Sequence, residues 1–362
     1  MKKVYYIDID RTKQNNAGAK APDDFAAVCK EKGYEVFLFP NFPKEKNWLY
    51  QKLWLLFVGT RNWNKVMRTV QEGDVVLFQH PIYGHRISEK MIPKIQAKKG
   101  CKFIALIHDL ESLRGGIQGV IKDNTKTNQI ADNVLLKHFD VIICHNESMK
   151  KYLISQGFDA DKLVSLEIFD YLSEYRCEKA GKSENPSIAI AGTLAKGKCG
   201  YIYEIYSKEA KRNEALTINL FGNNFDESIA NDHMVWHGSF KPEELPKYLK
   251  GDFGLVWDGT SIAACEGNTG EYLKYNNPHK VSLYLSAGLP VIIWKQAALS
   301  DFVLKHNVGI AVDNLENLDE IISGISEEEY AVMRKNAEAV SDQLHSGYYY
   351  KKAVDEAIGK LS

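Results

Sequence analysis

A His-Lys pair, His279-Lys280, stands where the stretch NNPHKVSLYLSAGLPVIIW (276–294) turns from a loop into a short amphipathic helix. The start of a helix leaves backbone N–H groups unpaired and carries partial positive charge, so it favours an anion such as a diphosphate. Lys280 adds a full charge there, and the amides through Ser282 add further donors. A second anion loop is GTLAKGK, with Gly192, Thr193, Lys196 and Lys198. Glycine lets the backbone approach a phosphate closely, and only one of the two lysines need point inward. The Walker pattern GxxxxGK[ST] is absent, so this is not a P-loop. His108 and Asp109 end the apolar run CKFIALI. Polar residues at the carboxyl end of a buried parallel strand are where α/β proteins place chemistry. A carboxylate or imidazole there can take a proton from an attacking hydroxyl. The same pair could instead tie down the glycine-containing loop SLRGGIQG, which has the composition of a lid.

The elements that must position these groups alternate. Apolar runs at 3–9, 34–39, 74–79, 101–107 and 139–145 read as buried parallel strands, with helices between them. Asp8 and Asp10 end the first strand. A polar run at 168–186 reads as a linker. A second strand series follows at 187–193, 216–222, 234–240 and 253–259, then the strand closing the opening stretch, then 309–313. Pro242 suits the first turn of a helix over KPEELPKYLKG. Helices are expected at 315–324 and 327–345, and the tail SGYYYKKAVDEAIGKL is long enough to cross back over the first domain.

The chain of 362 residues is 44% hydrophobic and 26% charged, which suits two globular domains rather than long disordered arms. A net charge of −1 gives no general pull toward nucleic acid. Residues 1–180 hold 28 Lys/Arg against 22 Asp/Glu and the remainder 18 against 25, so the first half is basic. A basic half suits an acidic acceptor or an anionic membrane surface, as well as scattered solvated lysines. The six cysteines show neither CxxC nor Cys/His ligand spacing, so buried, reduced thiols and a cytoplasmic setting are expected. The N-terminus has no secretory apolar region, and no apolar run reaches the roughly 18 residues of a spanning helix, so any membrane contact is expected to be peripheral. The aromatic-rich segment 47–68 suits core packing, a subunit contact in a homo-oligomer, or a membrane-surface helix flanked by Lys44, Lys46 and Lys52.

The runs GTL–K–G–K, FG, HGSFKPEELPKYL, FGLVWDG and YNNPHKVSLYLSAGLPVII together resemble the C-terminal domain of GT-B glycosyltransferases. More narrowly, the chain resembles the bacterial β-1,6-galactofuranosyltransferase family and the related streptococcal glucosyltransferases that extend glycans on serine-rich adhesins. The strand ends FQHP and LIHD fit the same resemblance. It implies an α/β GT-B fold: two Rossmann-like domains facing each other across a cleft. Residues 1–170 would bind the acceptor and 186–340 the nucleotide sugar, with 341–362 a helix returning to the first domain.

The implied reaction moves galactofuranose, or another hexose, from a UDP-sugar to a cell-surface glycan or lipid-linked saccharide. The UDP-sugar is a substrate, and no cofactor or metal is expected, since no carboxylate pair of the DxD kind occupies a cleft position. His279, Lys280 and Ser282 would offset the diphosphate charge as the glycosidic bond breaks, helped by Gly192, Thr193, Lys196 and Lys198. Ser239 and Phe240 would hold uracil. Asp258, Tyr275 and Asn277 would meet the sugar or ribose. Asp109 would be the general base, with His108 its partner or substitute, and Asp8 and His80 would bind the acceptor. Large retaining GT-B families carry two glutamates separated by seven residues; here Tyr275 and Leu283 stand at those positions, which favours an inverting enzyme. Rival readings are a UDP-sugar epimerase on the same fold and a non-catalytic partner of another glycosyltransferase. A nicotinamide oxidoreductase is disfavoured because no GxGxxG turn follows the first strand.

Overall fold

The first sheet is wholly parallel, in the order β2-β1-β3-β4-β5-β6. Its strands are Val4–Ile9 (β1), Glu35–Phe39 (β2), Val75–His80 (β3), Lys102–Ile107 (β4), Val141–Cys144 (β5) and Leu163–Ser165 (β6). A computed structural model of the chain describes residues 2–11, 17–115, 129–178, 181–208 and 210–361. Every residue of β3 and β5 is buried, and in β4 only Lys102 is not. Helices on both faces require this, since neither face meets water. Phe78 lies at the centre of the core, with Trp63 and Phe139 against it at 6.2 and 5.3 Å between ring centroids. β6 is an element the sequence did not announce, because three residues are too few to show a period. The lid expected over 112–119 falls outside the described residues from 116 onward.

The second sheet is also parallel, in the order β12-β11-β10-β7-β8-β9. Its strands are Ser187–Ala191 (β7), Thr217–Phe221 (β8), Met234–Trp236 (β9), Phe253–Val256 (β10), Val291–Trp294 (β11) and Gly309–Val312 (β12). Two local expectations change. The Gly/Lys loop after β7 is itself helical, Lys196–Cys199 running into a 3-10 turn at Gly200–Tyr203. The helix expected from Pro242 begins later, at Leu245–Tyr248, with Pro246 in the first turn, where its missing N–H has no intrahelical partner to lose. The polar stretch 260–278 hides a short helix, Gly267–Tyr272, whose glycines disguise it. The helix Glu327–His345 starts on a capping box between Ser326 and Glu329.

The two sheets belong to two compact units. One comprises Met1–Gln14, Pro22–Leu166 and Tyr350–Ser362; the other comprises Asn15–Ala21 and Glu167–Tyr349. The last helix, Tyr348–Gly359, therefore ends in the first unit. There Tyr350 is fully buried with its ring 5.3 Å from that of Phe25, and Lys32–Asp355 and Lys351–Glu31 pair at 2.7 Å. All six cysteines are buried and unpaired with one another. No helix among the described residues is long and apolar enough to cross a membrane.

Removing a fully buried aromatic ring typically costs about 3–5 kcal/mol. Tyr350→Ala is therefore expected to lower the stability of the first unit by that order, read as a lower urea midpoint at unchanged slope, while a change at the exposed Tyr348 leaves the midpoint in place. Equal midpoints for Tyr350→Ala and the parent would show that the tail adds nothing to the first unit.

Candidate functional site

In the second sheet the chain leaves β7 for β8 on one side, while β10 lies on the other. Such a reversal opens a crevice at the carboxyl ends of the two central strands, where open α/β sheets bind ligands. Gly192 follows β7 with φ of 121°, and Gly222 follows β8 with φ of 148°. A Cβ on Gly222 would lie 1.7 Å from the Gly192 carbonyl oxygen, so backbone touches backbone there and no side chain fits. Asp258 lies just past β10. Lys280, in the first turn of the helix His279–Ser286, donates to Asp258 Oδ1 at 2.8 Å and to the Trp257 carbonyl at 3.2 Å. Its Cε would be 3.7 Å from a Cβ on Gly192. The fold thus brings Gly192, Asp258 and Lys280 to one point. Burial works against the ammonium, but the Asp258 carboxylate prevails and raises the Lys280 pKa above its ordinary value.

One turn further along the same helix, on the same face, the Tyr284 hydroxyl accepts from the Ala191 backbone N–H at 2.8 Å. This tie is possible because residue 254 is glycine; a Cβ there would lie 2.1 Å from the Tyr284 ring. Tyr284 was not anticipated, although its i+4 spacing from Lys280 was visible.

His279 is not the cation the sequence suggested. Burial first, and the nearby Lys20 ammonium second, push its imidazole down to about 3, so the ring is neutral at ordinary pH. It packs against Tyr171 and Phe169 at 5.1 and 6.1 Å between centroids. Its buried Nε2 has no hydrogen-bond partner among the described residues. Lys20 donates to the Leu172 carbonyl at 2.6 Å and lies 4.7 Å from the centre of the Tyr171 ring. Nothing in the local sequence marks Lys20 or Tyr171, since residues 151 positions apart come together only in the fold. Ser282 is buried, and its hydroxyl donates to the Phe169 carbonyl at 2.7 Å, so its proton is already placed within the protein. Asn277 is buried and Tyr275 half-buried.

The remaining candidates lie around the same end of the sheet. Thr193 is exposed, and its carbonyl accepts from the Cys199 thiol. Lys196 is exposed with its ammonium 5.3 Å from the Tyr203 ring centre, while the Lys198 carbonyl accepts from the Gly259 N–H. Lys198 is half-buried. Past β9, Ser239 is exposed and Phe240 stacks on Tyr248 at 4.4 Å.

The first sheet has its own reversal, between β1 and β3. At their carboxyl ends Asp8 accepts from Arg11 at 2.8 Å and from the Gln79 amide at 3.3 Å. His108, past β4, pairs through Nε2 with Gln79 Oε1 at 2.8 Å rather than with Asp109. With that oxygen as acceptor, Nε2 carries the proton and Nδ1 the lone pair. Asp109 accepts from Arg114 at 2.8 Å and is a third exposed. His80 is fully buried, and Asp132 takes its Nε2 at 2.8 Å while also accepting from the Ser112 N–H. That places His80 in the interior rather than on a surface a sugar would touch. Gln79, Arg114 and Asp132 organise this end of the sheet; Gln79 lies in FQHP and Arg114 in SLRGGIQG, yet the sequence alone singles out neither as a site residue.

Residues 3–168 match the family described as "Glucosyltransferase 3-like, N-terminal domain", and residues 188–357 match "Glucosyltransferase 3-like, C-terminal domain". The chain is 30% identical to "Beta-1,6-galactofuranosyltransferase WbbI" of Escherichia coli K12, over 99% of both chains. It is 26% identical to "Glucosyltransferase 3" of Streptococcus gordonii, over 83% of both. Among solved structures it is similar to a sucrose-phosphate synthase from Thermosynechococcus elongatus. That likeness has a TM-score of 0.63 at 12% identity and covers 100% of this chain and 98% of that one. The fold is GT-B.

Three histidines, His145 buried and His279 and His85 half-buried, sharpen the response to acid. Burial lowers His279 and His145 to about 3 and His85 to about 4. The unfolded chain takes up these protons near the usual histidine value of about 6.5, and the folded chain does so only lower. Their stabilising contribution is therefore present above about pH 6.5 and is lost as pH falls toward 3. Stability of the parent is expected to fall between about pH 6.5 and 4, with a shallower slope in His279→Gln. Identical slopes in urea titrations would show that His279 is not held neutral by the fold.

Proposed function

The chain belongs to the glucosyltransferase 3-like family of glycosyltransferases, and from that premise we propose that it moves galactofuranose from UDP-galactofuranose to a cell-surface glycan acceptor, with inversion and without a metal. Supporting this is the galactofuranosyltransferase name of the E. coli relative, which aligns along nearly the whole chain. UDP-glucose is the second donor, favoured by the name of the streptococcal relative.

The observation that carries the reading is Lys280, held against Gly192 at the reversal of the second sheet. A lysine ammonium has three donors. Asp258 and the Trp257 carbonyl take two, which leaves one for a phosphate oxygen. The close approach of Gly192 and Gly222 lets backbone groups reach the same anion. The unpaired Nε2 of neutral His279 is an acceptor that a hydroxyl of the donor sugar nucleotide would satisfy. Phe240, stacked on Tyr248, offers an aromatic face for uracil. Lys196 and Lys198 remain the candidates for a second phosphate contact.

In the reaction the acceptor hydroxyl oxygen attacks the anomeric carbon from the face opposite the diphosphate. The bond from that carbon to the diphosphate oxygen breaks, and UDP leaves with the electron pair. The hydroxyl proton passes to Asp109, for which His108 Nδ1 is the substitute base. Lys280 meets the charge that develops on the departing diphosphate.

UDP release is measured with UDP-galactofuranose and with UDP-glucose, with and without EDTA, on synthetic or lipid-linked acceptors. Turnover is expected to survive EDTA. Lys280→Ala is expected to weaken UDP binding about 10- to 100-fold, the worth of one charge-assisted hydrogen bond. Asp109→Ala is expected to keep UDP binding and lose about 100- to 10,000-fold in transfer. Absence of UDP binding and of turnover with every UDP-sugar would overturn the donor assignment; full transfer by Asp109→Ala would remove it as base.

A further inference from the structure

Six large apolar side chains lie exposed within ten residues of the first unit: Trp48, Leu49, Tyr50, Leu53, Leu56 and Phe57, with Trp48 72% and Phe57 69% exposed. They belong to one helical run: Trp48–Trp54, a π-turn at Leu55–Gly59, and Thr60–Thr69. Its opposite side is anchored. Trp54 packs on Phe42 and Tyr83 at 5.8 and 5.3 Å between centroids, and Trp63 and Val66 are buried in the core. Asn47 caps the start, its side chain accepting from the Tyr50 N–H. The apolar residues are therefore presented outward on a fixed element, at the i, i+4, i+7, i+8 spacing of 49, 53, 56 and 57.

Along the helical run the charge has one sign. From residue 46 to 71 the sequence holds Lys46, Lys52, Arg61, Lys65 and Arg68 and no Asp or Glu. All five cations are exposed. We propose that this face docks on an anionic lipid surface, with Trp48, Leu53, Leu56 and Phe57 entering the headgroup boundary and the flanking cations meeting lipid phosphates. Tryptophan and phenylalanine favour that boundary, and a helix with an apolar face and a basic rim lies in it rather than across it. No helix among the described residues is suited to spanning, so a contact of this kind is peripheral. A second copy is the disfavoured occupant. In a two-fold contact the patch meets itself, and five cations without a carboxylate would face five cations. This inference holds whichever sugar is moved.

Flotation of the full chain is measured with vesicles of phosphatidylglycerol and phosphatidylcholine, and with phosphatidylcholine alone, at low and high salt. The parent is expected to float with the anionic vesicles at low salt, to be released at high salt, and to ignore the neutral ones. Lys52→Gln with Arg61→Gln is expected to weaken partition about 25-fold, about fivefold for each cation near the surface. Trp48→Ser with Phe57→Ser is expected to abolish it, with circular dichroism unchanged because both side chains are exposed. Leu304→Ser, an exposed apolar residue of the second unit, is expected to leave it unchanged. The proposal is overturned if the parent binds no vesicles, if it binds neutral vesicles equally well, or if Leu304→Ser weakens binding as much as the helix variants. A dimer in sedimentation that Trp48→Ser with Phe57→Ser dissolves, with no vesicle binding, would assign the face to a second copy instead.

Discussion

An ammonium group taken out of water costs several kcal/mol unless something of opposite charge receives it. Lys280 is such a group, and much of the second unit follows from accommodating it. Asp258 must follow β10 close to the helix start, and the Trp257 carbonyl must turn toward the same nitrogen. The helix can approach that closely only because Gly254 leaves room for the Tyr284 ring beneath it. Tyr284 in turn holds the last N–H of β7 and so fixes where Gly192 begins its turn. The helix is also held from outside, where Ser341 donates to the Ser286 carbonyl at 2.7 Å. Cation, glycine, tyrosine and strand end form one constraint. Its result is a positive charge that does not need to be gathered when an anion arrives.

Both sheets place polar groups where their strand order reverses, yet they fill the place differently. The second unit keeps glycines and a paired lysine there, which makes room for a ligand's charge. The first unit fills its reversal with side chains that satisfy one another: Asp8 with Arg11 and Gln79, His108 with Gln79, His80 with Asp132. A site of the first kind suits an anion, as the proposed function requires. One of the second kind fixes the orientation and tautomer of a proton acceptor, which is the contribution a base needs from its surroundings.

The sheets were legible because strands buried on both faces must be nearly continuous apolar runs, and VVLFQ, KFIALI, SIAIA and VIIW are such runs. Lys280 and Asp258 were legible as polar residues at the ends of apolar segments. Their mutual bond was not, since it depends on which strand lies beside which. The charge of His279 was misjudged for the same reason: it is set by Phe169, Tyr171 and Lys20, and no local pattern announces them. Asp132 has no motif around it, and FQHP does not by itself mark Gln79; their roles arise from a partner 52 or 29 positions away. The helix Gly267–Tyr272 escaped because GNTGEY has the composition of a turn.

The closing helix has a consequence for how the protein is made. Lys351 meets Glu31 across 320 positions of sequence. At about 5–20 residues added per second, some 15–60 s separate the synthesis of the helix Lys20–Glu31 from that of the segment that covers Phe25. The second unit's sequence ends at Tyr349, so it is complete before the first can be. On the ribosome the unit begun first is therefore completed after the second, and it waits with an aromatic side chain uncovered until the segment from Tyr350 onward emerges.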